Sequence, residues 1–175
     1  ETYPFAVALF ALFCAEKAVV IPGNNTNTTV TKLKDYAEAY IGDFPCSKMD
    51  IDTIVNRASG TVMPDLNPGN CSLTVFTSGS TGEPKAIKKT LLHFEHEINA
   101  LEACFGGQID DSQIIATVSH QHIYGLIFRV LWPLAANRPF YSERALDPWL
   151  AMKEIIESNK GAIWIASPAH LKRLH

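Results

Sequence analysis

The sequence predicts an α/β fold, layered α-β-α around a mostly parallel sheet, and two observations support this prediction. Short β-branched runs alternate with stretches of helical length from residue 72 to the end of the chain. Strands that alternate with helices are joined by crossover connections, which place helices on both faces of a parallel sheet. The apolar share of 47% over 175 residues is enough for one substantial core, so a single globular unit is expected.

The first part of the chain supplies a helix, a strand and a second helix. Residues 4–17 are rich in Ala, Leu and Phe with a proline in the first turn, a composition typical of a buried helix. The β-branched run 18–22 follows as a short strand. Thr29 or Thr31 is expected to cap a second helix, which should end at Gly42.

The segment 43–70 is interrupted by proline and glycine and is expected to be mostly irregular. Beyond it, strands and helices alternate regularly. The predicted strands are 72–77, 85–89, 114–118, 139–142 and 162–166. The predicted helices are 91–105, 124–135 and 147–158, and a last helix opens at Ser167-Pro168.

Composition and charge limit the classes of partner. The net charge of -3 and the pI near 6.1 give no basic face, so no nucleic acid and no anionic lipid surface is expected as a partner. The apolar run 5–15 is well short of the roughly 20 residues that a membrane span needs.

The four cysteines have neither C-x-x-C pairing nor zinc-ligand spacing, so no metal site is expected. Buried or half-buried free thiols in the reducing cytoplasm are expected instead.

The loop between the second and third predicted strands is rich in glycine and hydroxyl groups. Its glycines let the backbone approach a ligand, its hydroxyls can donate hydrogen bonds, and its lysine adds a compact positive charge. It is not the common nucleotide P-loop, because Pro84 stands where that loop has its second glycine and no helix follows Lys85. From the residues alone, a phosphate loop and a solvated hairpin turn both stay open. The candidate residues are Thr77, Ser78, Gly79, Ser80, Thr81, Gly82 and Lys85.

His120 and His122 follow the predicted strand 114–118, at the edge where open α/β sheets bind their ligands. His-x-His also suggests a metal, but no third ligand stands at a recognisable spacing. The residues alone leave three alternatives open: ligand contact, a helix cap, or imidazoles half-buried against Tyr124 and Phe128.

Two motifs resemble those of a known family. The decapeptide Phe76–Lys85, FTSGSTGEPK, matches every specified position of [YFL]-[ST]-S-G-[ST]-T-G-x-P-K, a signature of the adenylate-forming (AMP-binding) superfamily. Ala86 departs from the glycine that usually follows. The run His122–Leu126 is similar to the F-H-x-[FY]-G-[LM] motif of acyl- and aryl-CoA synthetases, with Gln121 in place of the usual aromatic residue. The closing AIWIASPAHLKRL is similar to the family pattern V-x-x-x-P-x-x-[LY], so the resemblance extends from the first helix to the last residue.

The resemblance implies ATP-dependent activation of a carboxylic acid, fatty or aryl, as an acyl-adenylate. Thioester formation with CoA or with the phosphopantetheine of an acyl carrier protein follows in that family. The loop residues 77–82 and Lys85 would hold the β- and γ-phosphates of ATP. Lys85 and His122 are the implied catalytic residues, and His122, Tyr124 and Gly125 the implied pocket for the acid; no family-wide counterpart is assigned to His120.

The family's later motifs and its C-terminal lid would lie beyond His175, and with them most ligands of the Mg²⁺ that accompanies ATP. The chain opens with Glu1 rather than Met, so earlier residues are also expected. Residues 1–175 are therefore expected to be one partial domain, inactive by itself.

Two alternatives stay open. The chain could belong to an amino-acid-activating domain of a peptide synthetase, although such domains tend to have F-D-x-S where this chain has HQHIYGL. It could instead be a phosphate-binding α/β module without catalytic function.

Overall fold

Helices and strands alternate along the chain, which confirms the predicted α/β class. The computed structural model describes residues 1–47, 49, 53, 64–78, 84–109, 112–145, 147–157 and 161–172. Its strands are β1 (Val19–Ile21), β2 (Ser72–Ser78), β3 (Pro84–Thr90), β4 (Gln113–Ala116) and β5 (Ala162–Ile165). Its helices are α1 (Thr2–Cys14), α2 (Asn27–Leu33), α3 (Leu91–Ile109), α4 (Ile123–Gly125), a π-helix (Leu126–Leu131), α5 (Trp132–Ala135), α6 (Pro148–Glu157) and α7 (Pro168–Leu171). The chain divides into two compact units, one of residues 3–92 and one of residues 1–2 with 93–175.

The unit of residues 3–92 contains a three-stranded sheet. β1 pairs in parallel with β2, and β2 pairs with β3 as an antiparallel hairpin. Leu73 and Val75 are buried on β2 beside their partners Val19 and Ile21, because alternate residues of a strand face the same side of a sheet. The hairpin predicted around the glycine-rich loop is therefore confirmed, with Ser78 and Pro84 as its last paired residues.

The two N-terminal helices end earlier than predicted. α1 ends at Cys14 because Glu16 adopts a left-handed conformation (φ 55°). The Lys17 N–H then donates to the Leu12 carbonyl, which would otherwise lack a partner at the end of the helix. Thr26 caps α2, not Thr29 or Thr31, because its hydroxyl accepts from the N–H of Thr29. Asn24 holds that cap in place by accepting from the Thr26 hydroxyl (3.0 Å).

α2 also stops at Leu33 instead of continuing to Gly42. In the turn that follows, at residues 34–36, the ring of Tyr36 packs edge-on against Phe76 of β2, with 6.0 Å between ring centroids. This tertiary contact takes an aromatic residue that the sequence pattern assigned to the helix. Of the segment 43–70, the described ranges 43–47 and 64–70 hold turns and bends, Met49 forms a bridge with Ile41, and Thr53 is helical; the other residues lie outside the described ones.

The unit that ends at residue 175 is a β-α-β arrangement. β4 and β5 pair in parallel, from Gln113 opposite Ala162 to Ala116 opposite Ile165. One face of this pair packs against Phe128 of the π-helix, and the other packs against Ala151 and Ile155 of α6. Helices therefore cover both faces of the pair, which is the layering predicted from the alternation of strands and helices.

One prediction for this unit was wrong, and one was right in its extent but not in the type of helix. Residues 139–142 do not form a strand; only Phe140 bridges to Ile114, because the Ser142 carbonyl accepts hydrogen bonds from Arg129 and from the Thr2 N–H. The predicted helix 124–135 is helical throughout, but its middle is a π-helix, a form that often marks functional positions.

An ion pair links α3 to the turn that follows α5, with the Arg138 side chain 7% exposed and the Glu102 side chain 41% exposed. Both terminal nitrogens of Arg138 donate to the carboxylate of Glu102 at 2.6 Å, and the indole of Trp132 donates to the same carboxylate at 2.8 Å. Gly106 makes this possible, because a β-carbon there would overlap the Glu102 side chain. The hydrogen bonds from Arg138 and Trp132 lower the pKa of Glu102 to about 2. This carboxylate therefore joins α3 to Trp132 and Arg138.

The four cysteines are free, as predicted, but two of them are not buried. Cys71 is buried and Cys14 half-buried, and burial raises the pKa of the Cys71 thiol. Cys46 and Cys104 are exposed, because Cys46 lies in a turn and Cys104 on the outer face of α3. Among the described residues, no helix is both long and apolar enough to cross a membrane.

Candidate active site

The β2–β3 hairpin places a threonine and a lysine opposite each other at the end that carries the loop. Thr77 and Lys85 are paired across the two strands, so their side chains project from the same face of the hairpin. Lys85 is exposed, and the Thr77 hydroxyl lies 3.5 Å from the Lys85 carbonyl. A positive charge and a hydroxyl thus flank the loop 79–83, an arrangement that suits phosphate oxygens.

Four of the predicted loop residues cannot be placed: Gly79, Ser80, Thr81 and Gly82 lie outside the described residues. Ser78 ends β2 as the last residue before the loop. The phosphate-binding role of this loop stays a prediction, supported by the geometry of Thr77 and Lys85.

The second group of candidate residues lies beyond the carboxyl ends of β4 and β5. Both strands run in the same direction, so the segments that follow them meet at one edge. The Thr117 hydroxyl joins these segments: it lies 3.1 Å from Nδ1 of His170 and accepts from the indole of Trp164 at 3.3 Å. The N–H of Ser167 also donates to Nδ1 of His170 at 3.5 Å, so this nitrogen acts as an acceptor.

His122 and Tyr124 are exposed at this edge. His122 is the N-cap residue of α4, with its backbone N–H on the Ser119 carbonyl at 3.3 Å. The Tyr124 hydroxyl reaches the Ala166 carbonyl at 3.4 Å, and its ring packs against Phe128 at 4.7 Å between centroids. An imidazole and a phenol are thus both exposed at this edge, and their role in an acid pocket stays a prediction.

The absence of a side chain at Gly125 lets α4 pack closely against the turn that precedes it. A β-carbon at this position would overlap the carbonyl group of Ser119 and lie 3.1 Å from the His120 nitrogen. These neighbours are backbone atoms, which cannot rotate away as a side chain can. Gly125 therefore packs closely against the segment that carries His122, and its predicted place in the wall of the acid pocket stays a prediction.

His120 is half-buried and has an unusual electrostatic environment. Burial, followed by the positive charges of Arg129, the chain's amino terminus and Arg144, lowers its pKa to about 3. The imidazole is therefore neutral in the folded protein at pH 7. Of the alternatives for the two histidines, the half-buried one fits His120 and the exposed, ligand-facing one fits His122.

We expect His120 to make the protein less stable in acid. Between pH 7.5 and 5 the unfolded chain takes up a proton on this imidazole and the folded chain does not, so stability rises with pH. The shift from 6.5 to about 3 corresponds to at most about 2 kcal/mol over this interval.

The measurement is the free energy of unfolding, or the melting temperature, against pH. His120→Gln should flatten the fall between pH 7.5 and 5. His96→Gln, which replaces an exposed histidine of α3, should follow the wild-type curve. Equal slopes in the wild type and His120→Gln would show that His120 is protonated in the folded state.

Three side chains at this edge were not found from the sequence. Thr117 and His170 were missed because they are 53 residues apart in the sequence, and no local sequence pattern predicts a contact over that separation. Arg129 is 2% exposed, and the signal for it was a single charge within the apolar run LIFRVLW. Among the described residues, no three His, Cys, Asp or Glu side chains cluster closely enough to hold a metal ion.

A lysine beside a hydroxyl-rich hairpin and polar side chains at the carboxyl edge of parallel strands are features of α/β proteins that bind phosphate-containing ligands. The family model of the AMP-binding enzymes matches residues 7–175, and the chain belongs to this family. The resemblance found in the loop and histidine motifs is thereby confirmed.

Two relatives and one solved structure illustrate the similarity. Over 78 residues the chain is 32% identical to the medium-chain-fatty-acid–[acyl-carrier-protein] ligase JamA of Moorena producens (strain JHB), which covers 45% of this chain and 13% of that protein. Over 127 residues it is 26% identical to tyrocidine synthase 3 of Brevibacillus parabrevis, covering 71% of this chain and 2% of that protein. The o-succinylbenzoate CoA synthetase MenE of Bacillus subtilis, solved with ATP and magnesium ion, has a TM-score of 0.77 at 15% identity, covering 98% of this chain and 49% of that chain. The chain thus spans less than half the length of each of these proteins.

Proposed function

We propose that these residues form the phosphate-binding and acid-binding part of an AMP-forming acid–thiol ligase. The observation that carries the proposal is the hairpin with Lys85 opposite Thr77, in a chain that the AMP-binding family matches over residues 7–175. The names of two relatives support it, since JamA is a fatty-acid–carrier-protein ligase and MenE a CoA synthetase.

In the first step, an oxygen of the substrate carboxylate attacks the α-phosphorus of ATP, and the bond to pyrophosphate breaks. In the second, a thiol attacks the carbonyl of the acyl-adenylate and AMP leaves. Lys85 and the loop would neutralise the β- and γ-phosphates as charge moves onto pyrophosphate. His122 and Tyr124 would bind and orient the acid. Mg²⁺, when bound, neutralises phosphate charge, and we expect its ligands mostly outside this chain.

The substrate we favour is a fatty or aryl acid, and the thiol is that of CoA or of carrier-protein phosphopantetheine. The similarity to tyrocidine synthase 3 favours a second candidate, an amino-acid-activating domain. We further propose that residues 1–175 act as one partial domain of a longer enzyme in the cytoplasm, and that they are inactive alone.

The deciding experiment is ATP–pyrophosphate exchange by the full-length protein that contains this chain, with fatty, aryl and amino acids as substrates. We expect exchange with a fatty or aryl acid, followed by AMP release on addition of CoA or carrier protein. Exchange with amino acids alone would favour the second candidate. No exchange with any acid would contradict both, and robust exchange by residues 1–175 alone would contradict the partial-domain proposal.

A further inference from the structure

Arg129 is a buried charge in the π-helix. Its two terminal nitrogens donate to the carbonyls of Val118 (3.1 Å) and Ser142 (3.0 Å), while its Nε is buried and makes no hydrogen bond. Among the described residues, no carboxylate lies within ion-pair distance of the guanidinium. Burial and the positive charge of Arg144 lower the pKa of Arg129 to about 10.

Such a group is expensive to bury. A guanidinium without a counter-charge loses its hydration and regains only part of it from two carbonyls, whereas a methionine would fill the same space without that loss. The second buried arginine of this unit, Arg138, differs in having the carboxylate of Glu102 as its partner. The presence of Arg129 is therefore better explained by what its hydrogen bonds hold in place than by a gain in stability.

Its hydrogen bonds hold the segment that leads into the candidate site. Val118 begins the turn between β4 and α4, and the Ser142 carbonyl belongs to the segment that follows the bridge at Phe140. Two further contacts hold the same turn. Gly125 packs closely against the backbone of Ser119, and the His122 N–H donates to the Ser119 carbonyl. Through its bond to the Val118 carbonyl, Arg129 connects this turn to the π-helix.

We propose that Arg129 is a positioning residue that sets the backbone carrying His122 and Tyr124, and thereby the binding of the carboxylic acid. This inference rests on the proposed function of that edge as the acid site. Arg129 itself touches no substrate in this scheme, and the hairpin with Lys85 does not depend on it.

The test uses Arg129→Met and Arg129→Lys in the full-length protein. Arg129→Met removes both hydrogen bonds, and we expect the KM for the acid to rise about tenfold or more, since a small misplacement of reacting groups is costly. The KM for MgATP should stay within about twofold, because the nucleotide loop is unchanged. Arg129→Lys keeps the charge but can reach only one carbonyl, so it should fall between Arg129→Met and the wild type. This variant also keeps the test available if Arg129→Met does not fold.

A second measurement does not depend on activity. Amide hydrogen exchange in residues 118–126 should be faster in the Arg129 variants, while exchange in β2 and β3 should be unchanged. Arg138→Met is the matched control, because it removes a buried arginine with a carboxylate partner. It should lower the melting temperature without a selective rise in the KM for the acid.

The outcomes separate this inference from the proposed function. Exchange activity absent from the wild type would defeat the proposed function, while faster hydrogen exchange at residues 118–126 would still support the positioning role. Wild-type KM values in both Arg129 variants of an active enzyme would overturn the inference alone. Equal rises in the KM for the acid and for MgATP would also overturn it, since they would indicate a general loss of structure.

Discussion

Lys85→Ala is expected to lower the rate of carboxylate-dependent ATP–pyrophosphate exchange by about 100-fold or more, the usual effect of removing one group that stabilises developing charge. Lys85 is exposed and lies opposite Thr77 at the mouth of the loop, so its ammonium can reach a bound phosphate without moving the strand. For the same reason the variant should keep the wild-type melting temperature. The loss is then a loss of chemistry rather than of folded protein.

Lys88→Ala is the matched control for this prediction. Lys88 is exposed on the same strand, three residues further from the loop, and pairs with Thr74. Its removal deletes an equal charge from the hairpin but not from the loop, so exchange should stay within about twofold of the wild type. Ser80→Ala should also slow exchange. If Lys85→Ala and Ser80→Ala both exchanged at the wild-type rate, the loop would not be the phosphate site.

The hairpin was predictable because its information is local. Alternating apolar residues define β2 and β3, and glycines between two such runs are typical of a hairpin turn, because glycine adopts the dihedral angles that a tight turn requires. The observed bounds, Ser72–Ser78 and Pro84–Thr90, lie within one residue of those predicted. The edge that carries His122 and Tyr124 was predictable for a similar reason, since a strand followed by a helix has a defined direction.

The cap of α2 shows where local information is not enough. Thr26, Thr29 and Thr31 all have the side chain that an N-cap needs, and the sequence does not rank them. In the structure Thr26 has an extended backbone and its hydroxyl accepts from the Thr29 N–H, whereas Thr29 and Thr31 lie inside the helix. Asn24 accepts from the hydroxyls of both Thr26 and Thr29, and hydrophobic periodicity carries no information about such contacts.

The predicted strand 139–142 failed for a long-range reason. Its β-propensity is real, and Phe140 does bridge to Ile114. The Ser142 carbonyl, however, accepts from Arg129 and from the Thr2 N–H instead of from a strand. An arginine 13 residues away and the second residue of the chain thus override the local preference.

Gly125→Ala is the second large effect we expect, a loss of about 1–3 kcal/mol in the free energy of unfolding. The added β-carbon would meet the carbonyl group of Ser119 and the nitrogen of His120, so the backbone of the turn or the start of the helix must move. Because the same turn carries His122, the KM for the carboxylic acid should rise as well. Denaturant unfolding and exchange kinetics measure the two effects on one preparation.

Gly107→Ala makes the cause of these effects testable. Gly107 is exposed on α3 and a β-carbon there would meet nothing within 4 Å, so the substitution adds the same methyl group without a clash. Since alanine favours a helix over glycine by about 0.5–1 kcal/mol, stability should stay level or rise. If Gly125→Ala were as stable as Gly107→Ala, the backbone of the turn at Ser119 and His120 would be able to move aside for the added methyl group without loss of stability. The glycine of the family motif would then be explained by ligand contact rather than by close packing against Ser119.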